Sequence, residues 1–328
     1  MSRNGFISLI FAAALLSPLS VGAQQQGNAV VGFLTSGSIE ALNKRWIAAF
    51  HRGLGEAGFV DGKNVKIDFR AADDHYDRLP ALAADFVRDN VAVIIAAGGP
   101  VSALAAKKVT NTVPIVFTTI ADPVKSGLVD GMSRPGGNAT GTAGLTSELD
   151  AKRLEFLVQL KPGARTIGVL VNPNRPGVGA NSKEMQDAAQ TIGCQLVFQN
   201  AGPDHDLDTA FAKLGEQRVD GVVVTADPFF NFRRPQVVAL AARYALPAVY
   251  QWREFVEDGG LMSYGPSIAD AYYQAGVYAG RIIKGERPAD LPVMQPTRFE
   301  LVFNRKTAKS LGIQIPALLL ASADEVFE

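Results

Sequence analysis

Short continuous apolar runs alternate along this chain with segments in which apolar residues recur every three or four positions. Val30–Leu34 is the first such run, and the segment after it carries Trp46, Phe50 and Leu54 at a spacing of four. A continuous run is typical of a strand buried on both faces, and the spacing of four predicts a helix with one buried face. Strands that alternate with helices in this way predict parallel sheets covered by helices.

The alternation runs through the chain twice. The predicted strands of the first half are Val30–Leu34, Val65–Phe69, Val91–Ala97 and Ile115–Thr119, and those of the second are Thr166–Val171, Gln195–Phe198, Gly221–Thr225 and Ala248–Gln251. Gly32 corresponds to Gly168, and Pro114 to Pro247, at an offset of roughly 130 residues, which suits a duplicated lobe rather than a solenoid repeat. The predicted fold class is α/β, with two similar doubly wound parallel-sheet lobes.

The C-terminal part predicts further crossings between the lobes. Gly260–Tyr264 reads as another strand, Tyr272–Ile283 as a helix, and Leu291–Asn304 as a long extended segment. We expect the chain to return to lobe 1 near Gly259 and to recross near Pro292–Thr297, so that three crossing segments form a hinge. Lobe 1 would then comprise residues 28–143 and 259–292, and lobe 2 residues 144–258 and 293–328. The alternative is that the tail only decorates lobe 2.

The first residues have the features of an export signal. Arg3 is followed by the apolar stretch Phe6–Leu16, which is too short to span a membrane, and by small residues up to Ala23. We therefore expect residues 1–23 to be a signal peptide, cleaved near Ala23, and the mature protein to be periplasmic without direct membrane insertion. An uncleaved anchor is the alternative. No cysteine follows the signal, so no lipid anchor is expected, and the lone Cys194 excludes an internal disulfide.

Composition and motifs argue against several classes of protein. The chain has 32 Lys and Arg against 32 Asp and Glu, so no basic excess favours nucleic acid. It lacks a G-x-S-x-G nucleophile motif and a P-loop, and its three histidines (His51, His75 and His205) are too scattered for metal-ligand spacing. We therefore expect no enzyme activity, no catalytic residues, no cofactor and no metal.

Polar and small residues follow the predicted strands, where open α/β sheets bind their ligands. The candidate ligand-binding residues are Thr35, Ser36, Gly98, Gly99, Thr118 and Asp122 in lobe 1, with Asn172, Asp227, Tyr250 and Tyr264 in lobe 2. Hydroxyls and glycine N–H groups at helix N-termini suit a carboxylate, and Asp122 or Asp227 suits an ammonium group. Alternatively, Asp122 and Asp227 form turns and cap helices.

Several longer motifs resemble a known family. They are the segments 53–65 (GLGEAGFVDGKNV), 114–117 (PIVF) with 122–124 (DPV), 127–129 (GLV), 134–141 (RPGGNATG) and 323–326 (ADEV). Together they resemble the tryptophan/tyrosine-type solute-binding proteins of ABC importers, which have the type I periplasmic binding-protein fold. The resemblance extends over roughly residues 30–328.

The resemblance implies two hinged lobes that close on a small solute and dock on the transmembrane subunits of an ABC permease. Its ligand loops correspond here to Ser36, Gly99, Thr118, Asn172, Asp227 and Tyr250. Where relatives often carry an acidic residue after the first strand of lobe 2, this chain has the basic segment Asn172–Ser182. Arg175 in that segment favours an anionic solute if its side chain points inward, and a solvated loop arginine is the alternative.

The leading hypothesis is a monomeric periplasmic solute-binding protein for an amino acid or a small carboxylate or aromatic compound. Paired lobes, a hinge and an export signal all fit this function. The alternatives are a ligand-sensing module for a membrane receptor, or an exported enzyme on the same scaffold. Recovery of a bound compound unchanged would argue against the enzyme.

Overall fold

The computed structural model of the chain describes residues 29–40, 42–144, 149–203 and 205–328. The predicted signal peptide at residues 1–23 lies outside the described residues. The strands are β1 (Ala29–Thr35), β2 (Val65–Ala71), β3 (Val93–Ala97), β4 (Ile115–Thr119), β5 (Ala139–Ala143), β6 (Thr166–Val171), β7 (Gln195–Asn200), β8 (Gly221–Val224), β9 (Ala248–Tyr250), β10 (Met262–Gly265), β11 (Glu300–Asn304) and β12 (Glu325–Phe327).

Helices connect and cover these strands. They are α1 (Lys44–Glu56), α2 (Leu79–Arg88), α3 (Pro100–Val109), α4 (Asp150–Leu160), α5 (Val178–Ile192), α6 (Leu207–Glu216), α7 (Pro228–Phe232), α8 (Arg234–Arg243), α9 (Arg253–Glu257), α10 (Ile268–Ile283), α11 (Arg305–Ser310) and α12 (Ala317–Ser322). α1 begins at Lys44 because Asn43 caps it, with Asn43 Oδ1 accepting from Arg45 N at 2.8 Å. No helix among the described residues is long and apolar enough to cross a membrane.

The strands form two sheets, one for each lobe. The first sheet has the order β2-β1-β3-β4-β5 and is parallel throughout. The second has the order β12-β11-β10-β9-β8-β6-β7, and only β10 and β11 in it pair antiparallel. Separate apolar cores lie on the two faces of each sheet. The predicted fold class, two doubly wound α/β lobes, is confirmed.

β5 is a strand that the sequence pattern does not predict. Its residues, ATGTA, contain none of the branched apolar side chains that mark the other buried strands. Small residues are needed here because β5 runs close to β4, and a Cβ on Gly141 would lie 2.0 Å from the carbonyl oxygen of Phe117. The first crossing therefore starts after Ala143, and most of it (residues 145–148) falls outside the described part of the chain.

The return to lobe 1 occurs later than the sequence suggests. β10 pairs with β9 and β11, so it belongs to the second sheet, and the chain crosses at Pro266 and Ser267 before α10. The expected return near Gly259 is wrong by one strand, because an apolar run does not reveal which sheet a strand joins. α10 packs tightly on α1 of lobe 1, where a Cβ on Gly53 would lie 2.0 Å from Tyr273 O.

The third crossing lies between the end of lobe 1 and β11. Met294 still belongs to the edge of the first sheet, since its N donates to Gly141 O at 2.9 Å and its O accepts from Ala143 N at 2.9 Å. β11 of the second sheet begins at Glu300. Residues 295–299 between them form the third crossing.

Candidate functional site

A cavity of about 360 Å³ lies between the two lobes, beside the crossing segments. Its walls come from both lobes and from all three crossings. Lobe 1 contributes Gly98, Gly99, Thr118 and Thr142 to the lining, lobe 2 contributes Asn231, Phe232 and Trp252, and α10 contributes Tyr272. A pocket built jointly by two lobes changes its shape when the lobes move relative to each other.

The lobe 1 wall consists of backbone and hydroxyl groups. Gly98 and Gly99 have φ angles of 80° and 86°, a conformation that favours glycine, and they lead into α3. Ser36 Oγ donates to Gly98 O at 2.8 Å and fixes this loop. Thr118 and Thr142 are register partners on the parallel strands β4 and β5, so their side chains leave the same face of the sheet. Hydroxyls and helix N–H groups therefore converge on one side of the cavity.

The lobe 2 wall is the short helix α7 together with Trp252. Asp227 caps α7, accepting from Phe229 N at 2.8 Å, and this cap places Asn231 and Phe232 at the cavity. Trp252 and Tyr272 supply further aromatic surface. The cavity thus combines the hydroxyl groups of the lobe 1 wall with aromatic surface, and Asp270, Gln274 and Arg298 add further polar groups to its lining.

Two buried polar atoms at the cavity lack a hydrogen-bond partner. Within the part of the chain that the structure describes, neither Thr142 Oγ1 nor Asn231 Oδ1 makes a hydrogen bond. Buried polar groups are almost always paired, because leaving one unpaired costs about 1–3 kcal/mol. One atom from each lobe is therefore suited to bind a polar group that enters the cavity.

A cluster of charged and polar side chains lies behind α7. Arg175 is buried, with 2% of its side chain exposed, and its Nε lies 3.9 Å from Asp227 Oδ2. Asn172 Nδ2 donates to Asp227 Oδ1 at 3.1 Å and reaches Tyr76 OH of lobe 1 at 3.5 Å. The alternative of a solvated loop arginine at position 175 is therefore wrong. Arg175 instead faces the acid of its own lobe.

Burial controls the ionisation of this cluster. It raises the pKa of Asp227 to about 6, although Arg175 and the hydrogen bonds from Asn172 and Phe229 N act in the opposite direction. Burial also raises the pKa of Tyr76, and the nearby Asp227 adds to that shift. Asp227 is thus held in place by several partners, and its carboxylate is strongly desolvated.

A second buried ion pair lies at the start of α4. Arg153 Nη1 donates to Asp150 Oδ1, and Arg153 Nε donates to Tyr264 O at 2.8 Å. Both side chains are essentially inaccessible to solvent. Burial raises the pKa of Asp150 and lowers that of Arg153, so each partner depends on the other to remain charged.

The sequence-predicted residues occupy three kinds of position. Gly98, Gly99 and Thr118 line the cavity, Thr35 and Ser36 lie buried at the end of β1, and Asn172 and Asp227 belong to the cluster behind α7. Asp122, Tyr250 and Tyr264 do not line the cavity. Any ligand-binding role for these ten residues stays a prediction, and the last three have no support from this arrangement.

Local contacts explain where those last three side chains go. Asp122 accepts from Val124 N at 2.8 Å, which is the turn-forming alternative. Tyr250 stacks on Phe255 at 4.7 Å, and Tyr264 packs against Phe156 at 5.1 Å, both within lobe 2. A position at a strand end places a residue near the cleft but does not fix the direction of its side chain.

Five of the cavity residues named above are absent from the predicted set: Thr142, Asn231, Phe232, Trp252 and Tyr272. Asn231 and Phe232 follow Asp227-Pro228, a helix-cap signature that was readable in the sequence. Thr142 lies on the unpredicted strand β5, and Tyr272 required knowledge of where α10 packs. In the described ranges, no group of three or more His, Cys, Asp or Glu residues is placed to hold a metal ion.

Comparison with known proteins identifies the family. The model of the ABC transporter substrate binding protein family matches residues 34–327. A tyrosine-binding protein of Clostridioides difficile (strain R20291) is 30% identical over 265 residues, which cover 81% of this chain and 76% of that protein. These matches extend over both lobes.

Two solved structures share the fold of this chain. An ABC domain from Streptococcus pneumoniae in complex with L-Trp has a TM-score of 0.81 at 25% identity, covering 92% of this chain and 100% of that one. A ligand-free, open substrate-binding protein with adhesive properties from Clostridium difficile has a TM-score of only 0.62 at 28% identity, covering 88% and 96%. Both structures cover both lobes of this chain.

The proteins of this family bind solutes and are not enzymes. The chain itself belongs to the ABC transporter substrate-binding protein family and has the fold of type I periplasmic binding proteins.

Proposed function

We propose that the chain captures an amino acid with an aromatic side chain between its lobes and delivers it to the transmembrane subunits of an ABC permease. The observation that carries the proposal is the pair of unpartnered buried atoms, Thr142 Oγ1 and Asn231 Oδ1, at a cavity whose walls also include Trp252, Phe232 and Tyr272. Capture takes place in the periplasm, where the export signal is expected to send the mature, monomeric protein.

Each part of an aromatic amino acid has a matching wall. The Thr118 and Thr142 hydroxyls and the N–H groups at the start of α3 suit the carboxylate. Asn231 Oδ1 can only accept a hydrogen bond, which suits the ammonium group. The aromatic walls suit a planar side chain. A volume of about 360 Å³ lies within the range of small-molecule sites.

The structure changes which residue receives the ammonium group. Asp122 and Asp227 are the sequence-based candidates, but Asp122 forms a turn and Asp227 binds Asn172, Phe229 N and Arg175. Asn231 replaces them in the proposal, because its side-chain acceptor is uncommitted and the residue lines the cavity. The relatives support the solute class, since one is a tyrosine-binding protein and another was solved with L-Trp.

Closure of the lobes links capture to delivery. The lobes touch across the cleft, where a Cβ on Gly99 would lie 2.6 Å from Pro228 Cγ and Arg233 Nη2 lies 2.9 Å from Asp74 Oδ2. A solute that binds both walls stabilises this closed arrangement relative to an open one. The permease would then recognise the closed form.

Removing either uncommitted polar atom should weaken solute binding. Thr142→Val and Asn231→Ala are each expected to raise the Kd for L-tryptophan or L-tyrosine about tenfold, the effect of one lost hydrogen bond to a charged group. Isothermal titration calorimetry measures this change. Thr191→Val removes an exposed hydroxyl on α5 and serves as the control, with an unchanged Kd.

Analogues assign each atom to its part of the solute. Tryptamine lacks the carboxylate, so Thr142→Val should affect its binding little. Indole-3-propionate lacks the ammonium group, so Asn231→Ala should affect its binding little. The proposal fails if the wild-type chain binds no aromatic amino acid in calorimetry, or if it prefers aliphatic amino acids. Uptake of the labelled amino acid by cells that lack the chain tests the delivery step.

A further inference from the structure

Trp46 of lobe 1 makes a buried hydrogen bond to lobe 2. It lies on α1, which packs against α10, and its ring centroid is 5.7 Å from that of Tyr272. Its Nε1 donates to Oε1 of Glu254 on α9 at 2.7 Å. Trp46 is 1% exposed and Glu254 3% exposed. The bond joins residues that are 208 positions apart and that belong to separate lobes.

Lobe 2 also contacts the face of the same indole. The guanidinium carbon of Arg234, at the start of α8, lies 5.8 Å from the ring centroid of Trp46. Arg234 is fixed in turn by Asp258, with a distance of 2.7 Å from Nε to Oδ2. Trp46 is therefore held by lobe 2 at its edge and its face, while the rest of its ring belongs to the lobe 1 core.

Other polar contacts between the lobes are more exposed. Arg45 and Glu257 lie 3.2 Å apart with 53% and 30% of their side chains exposed, and Arg233 in the pair with Asp74 is 48% exposed. Exposed ion pairs contribute about 0–1 kcal/mol each. A buried hydrogen bond to a carboxylate contributes more, and removing one partner leaves the other buried without a partner. The Trp46–Glu254 pair is thus expected to be more sensitive to substitution than these exposed ion pairs.

The pair lies outside the solute cavity, since neither residue lines it. If the lobes separate, the Nε1 edge of Trp46 and the carboxylate of Glu254 both reach water, so the open state has no unpaired buried group. In the closed state the two groups satisfy each other. A substitution that removes only one of the two groups therefore raises the free energy of the closed state but not that of the open state.

We propose that the Trp46–Glu254 pair is a latch between the lobes that stabilises the closed arrangement and thereby sets the solute affinity without contacting the solute. This regulation rests on the proposed function, because the affinity of a two-state binding protein scales with the population of its binding-competent state. The geometry that supports it is the buried bond between α1 and α9.

The test compares two single substitutions, each expected to weaken solute binding, with the double variant, which is expected to recover it. Trp46→Phe leaves the Glu254 carboxylate buried and unpaired on closure, and Glu254→Met does the same to the indole N–H. Each is expected to raise the Kd for L-tryptophan or L-tyrosine about 10- to 100-fold. The double variant has no unpaired group and should recover most of the affinity. A merely structural role would give additive losses and no recovery.

Kinetics and a matched control complete the test. The single variants should accelerate solute dissociation in stopped-flow experiments and leave association nearly unchanged, because the latch forms only after the lobes close. Glu257→Met, three positions along the same helix, removes the exposed ion pair with Arg45 and should change both rates by less than about fivefold. Equal Kd values for wild type and both single variants, or a double variant as weak as the product of the singles, overturns the latch.

Failure of the solute assignment can be told apart from failure of the latch. If the wild-type chain binds neither amino acid, the assignment fails, and the latch is judged from the closed fraction of the solute-free chain. Spin labels at Lys63→Cys in lobe 1 and Lys183→Cys in lobe 2, in a Cys194→Ser background, report that fraction by electron–electron double resonance. A closed fraction that falls in both single variants and recovers in the double supports the latch, and equal fractions in all four chains overturn it.

Discussion

Replacing Arg153 with methionine should lower the free energy of unfolding by about 3–5 kcal/mol. The substitution removes the partner of Asp150, whose carboxyl group is fully buried and whose pKa burial already raises. It also removes the donor to Tyr264 O. Urea denaturation followed by circular dichroism measures the change, provided that the slope of the transition stays the same.

The neighbouring residue provides the control. Lys152 also lies on α4 and forms an ion pair with Glu155 at 2.6 Å, but the two side chains are 46% and 42% exposed. Lys152→Met should therefore change the stability by less than about 1 kcal/mol. Combining Arg153→Met with Asp150→Asn should restore part of the loss. A single Arg153→Met variant as stable as Lys152→Met would show that the buried pair contributes nothing.

The position of this ion pair gives it a role in the hinge. Asp150 begins α4 directly after the first crossing, and Tyr264 lies in β10 directly before the second crossing at Pro266. Arg153 bonds to both, so it fixes the lobe 2 ends of two crossings to each other. The crossing segments can then bend about a common rigid base, which is what hinged closure requires.

The elements that the sequence predicts well are those with a local signal. Buried parallel strands such as β1, β3 and β6 are continuous apolar runs, and the glycines after β3 stand where a strand end meets a helix. Their place at the cleft follows from the rule for open α/β sheets. Gly98, Gly99 and Thr118 were therefore predictable as residues near the cavity.

The features that the sequence did not reveal depend on long-range pairing. The sheet that β10 joins is decided by its partners β9 and β11, and the position of Tyr272 by the packing of α10 on α1. Arg175 reads as an exposed loop residue, because Gly and Pro surround it, yet the turn folds its side chain against Asp227. Only tertiary structure shows that this charge is buried.

Replacing Asp227 with asparagine should stabilise the chain at neutral pH but not in acid. Burial raises the pKa of Asp227 from 3.8 to about 6 in the folded state. Protonation of Asp227 therefore favours folding. The stabilisation that protonation gives is fully present below the pKa of the unfolded state and is lost as the pH rises through about 6. At about 1.4 kcal/mol per pKa unit, ionisation of Asp227 lowers the free energy of unfolding by about 3 kcal/mol at neutral pH.

The measured quantity is the stability of Asp227→Asn minus that of wild type at each pH, because all other titrating groups cancel in the difference. It should be near zero at pH 3 and rise to about 3 kcal/mol by pH 7. Asparagine keeps an oxygen that can accept from Phe229 N, so the cap of α7 survives. Urea titrations at a series of pH values give the curve.

Asp206 provides a control of opposite sign. It also caps a helix, accepting from Thr209 N at 2.9 Å, but it is exposed, and that hydrogen bond lowers its pKa. Asp206→Asn should therefore be slightly less stable than wild type at neutral pH, with the deficit disappearing in acid. If Asp227→Asn instead followed this second pattern, Arg175 and Asn172 would outweigh burial, and Asp227 would be a stabilising carboxylate.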